Sequence, residues 1–135
     1  MSTSRVIRIS AGGVEAIAGL GTTRTADAIW DALPIEGRAN RWGDEIYFRI
    51  GLSLPEEGAR EVVEVGDLGY WPPGQAFCLF FGPTPASHGI EPRAASPVNV
   101  FGRIEGDATR FREVRDGARV ALDRVEATEI SRTHG

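Results

Sequence analysis

Apolar and polar positions alternate or cycle along most of the chain, and the period changes mark its elements. Residues 5–10 alternate, with Ile7 and Ile9 bracketing Arg8. Gly12-Gly13 and then "VEAIAGL" follow, which predicts a first hairpin with a glycine turn. In "TRTADAIWDALP" the period changes: Ala26, Ile29, Trp30 and Leu33 fall at i, i+3, i+4 and i+7, the stripe of one helix face. Thr23 or Thr25 suits the cap, and Pro34 ends the helix because it forces Leu33 out of the helical region. A polar loop leads to "GDEIYFRIGLSL", where Ile46, Phe48, Ile50 and Leu52 share one face and Glu45, Tyr47 and Arg49 the other. "EVVEV" at 61–65 predicts a further strand. Tyr70-Trp71, Pro72-Pro73-Gly74 and "QAFCLFF" predict strand, turn and strand, with Gly74 supplying the positive φ of a type II turn. "PVNVFGRIEG" predicts another strand, Asp107 to Val114 a short helix ended near Gly117, and "ARVALDRV" the last strand.

This pattern gives roughly eight strands with one or two short helices, and Gly/Pro turns between short strands point to a sandwich or barrel. At 135 residues one domain is expected, over residues 1–125, with a flexible tail at 126–135. A net charge of −4 disfavours nucleic acid and anionic membranes as partners. The opening "MSTSRVIRIS" lacks the apolar core of a secretory signal, so a cytoplasmic location is expected.

Composition narrows the chemistry. Cys78 is the one cysteine, which leaves no internal disulfide and no multi-cysteine zinc site. Every basic side chain is arginine, so Schiff-base, P-loop and Ser–Lys chemistry are excluded. His88 lies alone in a loop and His134 near the C-terminus, which argues against a His-based triad or metal site. No metal or cofactor is expected. Carboxylates, Arg, Tyr, hydroxyls and backbone amides remain as candidate chemistry, and catalytic residues are not identified.

The segments "LPIEGRANRWGDEIYF", "VVEVGDLGYWPPGQAFCLFFGPTP" and "RAASPVNVFGRIEGD" resemble a bacterial and archaeal family of small cyclophilin-like proteins. The resemblance runs from residue 5 to about 125. It implies a mainly β fold: a closed, eight-stranded, mostly antiparallel cyclophilin-like barrel with helices at its openings. It supplies no reaction. The Phe-His-Arg and Gln-Gly-Gly-Asp elements of true cyclophilins are absent, so prolyl isomerase activity rests on the fold alone.

The candidate site residues follow from residue type. "AFCLFF" is apolar on both faces, with Ala76, Cys78 and Phe80 on one and Phe77, Leu79 and Phe81 on the other. The outer face of this strand must therefore be covered, either by the helix around Trp30 or by a ligand or peptide lying in a groove over it. Cys78 itself reads as a small core residue. Tyr70 and Trp71 precede a rigid turn and either fill a barrel end or form an aromatic wall presented to a ligand, with Phe77 beside them. "GRANRWGDEIY" concentrates Arg41, Trp42, Glu45 and Tyr47, and Arg, Trp and Tyr together are the residue types of binding hot spots. "GPTPASHGIEPRAASP", at 82–97, carries four of the eight prolines and predicts an ordered flap. There Arg93 offers a bidentate fork to a carboxylate or carbonyl, or pairs with Glu91. Asn99 adds an amide. The expected function is the binding of a small molecule or an extended peptide in an aromatic groove. The alternatives are a peptidyl-prolyl isomerase, or an amide- or carboxylate-acting enzyme using Glu45 with Arg41 or Arg93.

Overall fold

The computed structural model describes residues 5–125, so the expected tail at 126–135 and His134 lie outside the described residues. The fold is mainly β. Its elements are β1 (Val6–Ala11), β2 (Val14–Leu20), α1 (Arg24–Ala32), β3 (Ile35–Arg38), β4 (Asn40–Arg41), β5 (Glu45–Arg49), β6 (Arg60–Val62), β7 (Asp67–Trp71), β8 (Ala76–Phe80), β9 (Arg93–Glu105) and β10 (Arg119–Arg124). Two 3₁₀ turns, Pro72–Gly74 and Ala108–Glu113, complete them.

The hydrogen-bonded path runs β3-β10-β1-β2-β9-β7-β8-β5-β4, all pairs antiparallel, and β6 pairs with β9 off this path. Ten strands replace the expected eight, because the segment read as a polar loop forms β3 and β4. The sheet wraps but is not closed by hydrogen bonds, contrary to the expected closed barrel. Its two ends, β3 and β4, are successive in the chain and meet at Ala39. The Ala39 amide donates to the Ala118 carbonyl at 2.8 Å, and its carbonyl accepts from Gly117 at 2.7 Å. The junction thus spends its backbone groups on the segment before β10. Across the seam, Phe48 packs so closely on Gly37 that a Cβ there would stand 2.3 Å from its ring.

The two faces of "AFCLFF" enter separate cores. Phe77, Leu79 and Phe81 join the main core with Ile46, Phe48, Leu68, Tyr70 and Phe101. Cys78 and Phe80 join a smaller cluster with Val63, Ala94 and Val98, flanked by Tyr47, Trp71 and Val100. The helix around Trp30, expected as one possible cover, does not lie over this outer face. α1 puts Ala26 and Ile29, and its C-cap Leu33, into the main core, and the cover over Cys78 and Phe80 comes from Val63 and the first half of β9. The flap is correspondingly shorter than expected, since Arg93 to Pro97 is already strand.

Local chemistry explains the element ends. The Thr23 hydroxyl caps α1 by accepting from the Ala26 amide at 3.0 Å. The guanidinium groups of Arg5 and Arg124 stand over the Trp30 ring, at 5.8 and 5.0 Å from its centre. In the turn after β7 the positive φ falls on Gln75, at 49°, rather than on Gly74. Gly74 serves another purpose: a Cβ there would meet the Trp71 ring at 2.6 Å.

Candidate functional site

A hollow of about 200 Å³ opens on the outer face of the sheet, lined by Trp42, Glu45, Tyr47, Trp71, Cys78, Ala94, Ala95 and Val98. The pleat assembles it. Glu45 and Tyr47 are two residues apart on β5, and Tyr47 pairs across the ladder with Cys78 on β8. Trp71 ends β7, where Ala76 is its partner. The first half of β9 contributes the remaining wall. Trp42, Tyr47 and Trp71 are half-buried and Ala95 is exposed, so the hollow meets solvent on that side.

Glu45 is the polar feature of this lining. Its residue is 4 % exposed, and its Oε1 is buried without a hydrogen-bond partner. Burial raises the carboxyl to about 7, against a weaker downward pull from the neighbouring Cys78 thiol. The thiol is pushed well above its ordinary value, first by burial and then by the Glu45 charge. A carboxyl in this condition is neutral below about pH 7 and both donates and accepts hydrogen bonds.

The walls are held by contacts that leave the hollow free. The Trp71 indole N–H donates to Ser96 Oγ at 2.6 Å, fastening the ring to β9. The Trp42 amide donates to the Glu45 carbonyl at 2.9 Å, closing the turn between β4 and β5. Gly43 sits in that turn at φ +62° against Thr84 and Pro85 of the flap. The flap itself is ordered around Glu91, whose carboxylate accepts from the His88 and Gly89 amides at 2.7 and 2.8 Å. The His88 amide first, then the amide of Glu91 itself, with Arg93 and the Gly89 amide adding less, hold this carboxyl down to about 2.

Of the nine residues expected at the site, Trp42, Glu45, Tyr47 and Trp71 come together. The other five have different positions. Arg41 points to the opposite side, where its guanidinium donates to the carbonyls of Gly43, Arg112 and Val114 at 2.9, 3.0 and 2.8 Å and stands 5.2 Å over the Phe81 ring. It fixes the turn that carries Trp42 and does not line the hollow. Tyr70 is fully buried in the main core, where its hydroxyl donates to the Leu52 carbonyl and accepts from the Leu54 amide. Phe77 is also fully buried there, 5.5 Å from Phe48 and 6.0 Å from Phe101. Arg93 pairs with Glu91 and Glu61 at 3.3 and 3.4 Å, the structural role that had been its alternative. Asn99 is buried as a fastener: its Oδ1 accepts from the Glu57 amide at 2.8 Å, and its Nδ2 donates to Pro55 O at 2.9 Å and Thr25 Oγ1 at 3.1 Å.

Cys78, Ala94, Ala95 and Val98 were missed as lining residues. Cys78 could have been found from the pairing of the Glu45-x-Tyr47 face with the Ala76-Cys78-Phe80 face. Ala94 and Ala95 carried no such signal, since "RAAS" reads as loop, and Val98 lay in an expected strand whose partners the sequence did not identify. Among the described residues no group of three or more His, Cys, Asp or Glu is placed to hold a metal ion. Among them no helix is long and apolar enough to cross a membrane.

No curated protein matches the chain. The solution structure of a hypothetical protein from Archaeoglobus fulgidus is 42 % identical, with a TM-score of 0.77, covering 93 % of this chain and 98 % of that one. The family model described as cyclophilin-like matches residues 5–123. With the wrapped antiparallel sheet, the residue segments quoted above and a match that spans nearly the whole described chain, the protein belongs to the cyclophilin-like family.

Proposed function

We propose that the protein binds a small molecule, or a single side chain of a peptide, in the hollow between Trp42, Tyr47 and Trp71, with Glu45 as the polar anchor. The observation that carries this reading is the buried, unpartnered Glu45 Oε1 in a lining that is otherwise aromatic and apolar. Binding sites combine apolar walls with a few placed polar groups. A buried polar atom without a partner costs about 1–3 kcal/mol, more when charged, and a ligand group that satisfies it recovers that cost. The volume bounds the occupant. Sites that engulf drug-sized molecules run to roughly 300–1,000 Å³, whereas an apolar cavity of about 150 Å³ admits benzene. At about 200 Å³ the hollow suits a ring or a short branched group.

A second reading is favoured by the Glu45 carboxyl near 7, the range in which an acid–base catalyst works best at neutral pH. In that reading Glu45 acts on the bound molecule without Arg41 or Arg93, which are engaged elsewhere. Isomerase activity keeps only the fold in its support, because the arginine needed to bond a prolyl nitrogen does not line the hollow.

A thermal-shift screen of small ring and branched fragments tests the binding reading. Hits should raise the melting temperature of the native chain in a concentration-dependent way and lose that effect in Trp71→Ala. Absence of any hit, or hits unaffected by Trp71→Ala, would count against it.

A further inference from the structure

We infer that the group taken into this hollow is a small alkylammonium carrying at least one N–H, and that its binding expels the proton from Glu45. The inference rests on the binding reading above and names the ligand class. Three observations lead to it. The ionisable side chains of the lining are Glu45, Tyr47 and Cys78, so the lining can become negative and offers no positive charge. An anionic ligand would therefore enter without a counter-charge, beside a carboxyl.

The aromatic lining points the same way. Trp and Tyr rings attract an organic cation through their negative faces, best where water is excluded. The unmet atom completes the argument. The protein leaves Glu45 Oε1 unpartnered, and once the carboxyl is ionised this oxygen is an acceptor that asks for a donor. A quaternary ammonium has none, whereas a primary, secondary or tertiary ammonium does. Charge assistance makes that bond roughly twice as strong as a neutral one.

The proton follows from the surroundings of Glu45. On its own strand Tyr47 is adjacent and Arg49 is exposed at the far end of the same face. From β8 the Cys78 thiol faces it, and from β7 and β9 the lining residues are Trp71, Ala94, Ala95 and Val98, none of them charged. Asp67 at the start of β7 is held by Arg103 at 3.0 Å, and Asp44 by Arg41 and Arg112 at 3.4 and 3.2 Å. Burial alone keeps Glu45 protonated near neutrality, and a cation in the hollow reverses that preference.

Calorimetric titrations of the native chain with tert-butylammonium, its neutral isostere tert-butanol, and tetramethylammonium test this. At pH 6, tert-butylammonium should bind more than about tenfold tighter than either comparator. The heat should vary between buffers of different ionisation enthalpy as for about one proton released, and this variation should vanish at pH 8.5. Glu45→Gln, which keeps the side-chain shape, should lose the preference and the proton release while still admitting tert-butanol. If tert-butanol binds as well as the cation, or no proton is released at pH 6, the ammonium inference is overturned and the binding reading stands. If neither cation nor any neutral fragment binds, both fall.

Discussion

Glu45 carries the central physical oddity of the molecule, a carboxyl buried on the outer side of a sheet with one oxygen unmet. Its raised value has a consequence for stability. Between about pH 4.5 and 7 the unfolded chain has lost this proton while the folded chain keeps it, so stability falls as pH rises through that window. The fall amounts to about 3 kcal/mol at 1.36 kcal/mol per unit. Urea unfolding at pH 4.5 and pH 8 should show that Glu45→Gln narrows the difference between these two pH values by about this amount; equal differences in both proteins would refute the burial argument. Asn99 makes a contrasting case. It was expected at the site but ties Thr25, Pro55 and Glu57 together. Asn99→Ala should cost about 2–4 kcal/mol in urea unfolding, from the lost bonds and the partners left buried, and should leave fragment binding in the hollow unchanged. The residue types were legible in the sequence. Which of them face one another was not, because Arg41, Tyr70 and Phe77 have the composition of a site and the alternation parity of the main core.

At the scale of elements, the period of the sequence revealed β1, β2, α1, β5 and β10, since each buries one face against the main core, while β7 and β8 were legible from the turn residues between them and their apolar run. It did not reveal β3 and β4, whose "IEGR" and "NR" carry too few apolar residues to alternate. Nor did it show that β9 begins at Arg93, since "RAASP" has turn composition and becomes strand only by pairing with β6. That early half of β9 forms one wall of the hollow, so the missed start of the strand and the missed Ala94 and Ala95 share one cause. The 3₁₀ turn after β7 sets the opposite wall. Gly74 lies flush against the Trp71 ring, and Gly74→Ala would bring a Cβ to 2.6 Å from it. This substitution should displace the ring, change the indole fluorescence and weaken fragment binding severalfold, whereas Gly13→Ala, at a position with open space around it, should do neither. Likewise Arg41→Ala should loosen the turn bearing Trp42 and cost about 2–3 kcal/mol, measurable by urea unfolding.

Over the whole molecule, the sheet wraps until its two ends are neighbours but stops short of a hydrogen-bonded seam. Side-chain packing holds that seam, chiefly Phe48 over Gly37. Gly37→Val should therefore overpack it and destabilise the fold by about 1–3 kcal/mol in urea. The wrap has a functional corollary. One face of β5, β8 and β7 supplies the main core, and the other is left to a small cluster too thin to fill the space beneath Trp42 and Trp71, where the hollow remains. The most direct measurement of ligand binding there uses the three tryptophans as internal probes: Trp42 and Trp71 line the hollow, while Trp30, on α1, is engaged by the guanidinium groups of Arg5 and Arg124. In a nitrogen–proton NMR titration with tert-butylammonium at pH 6, the indole signals of Trp42 and Trp71 should shift saturably while that of Trp30 stays still. Shifts confined to Trp30, or no saturable shift at Trp42 and Trp71 with this or any fragment, would contradict the account.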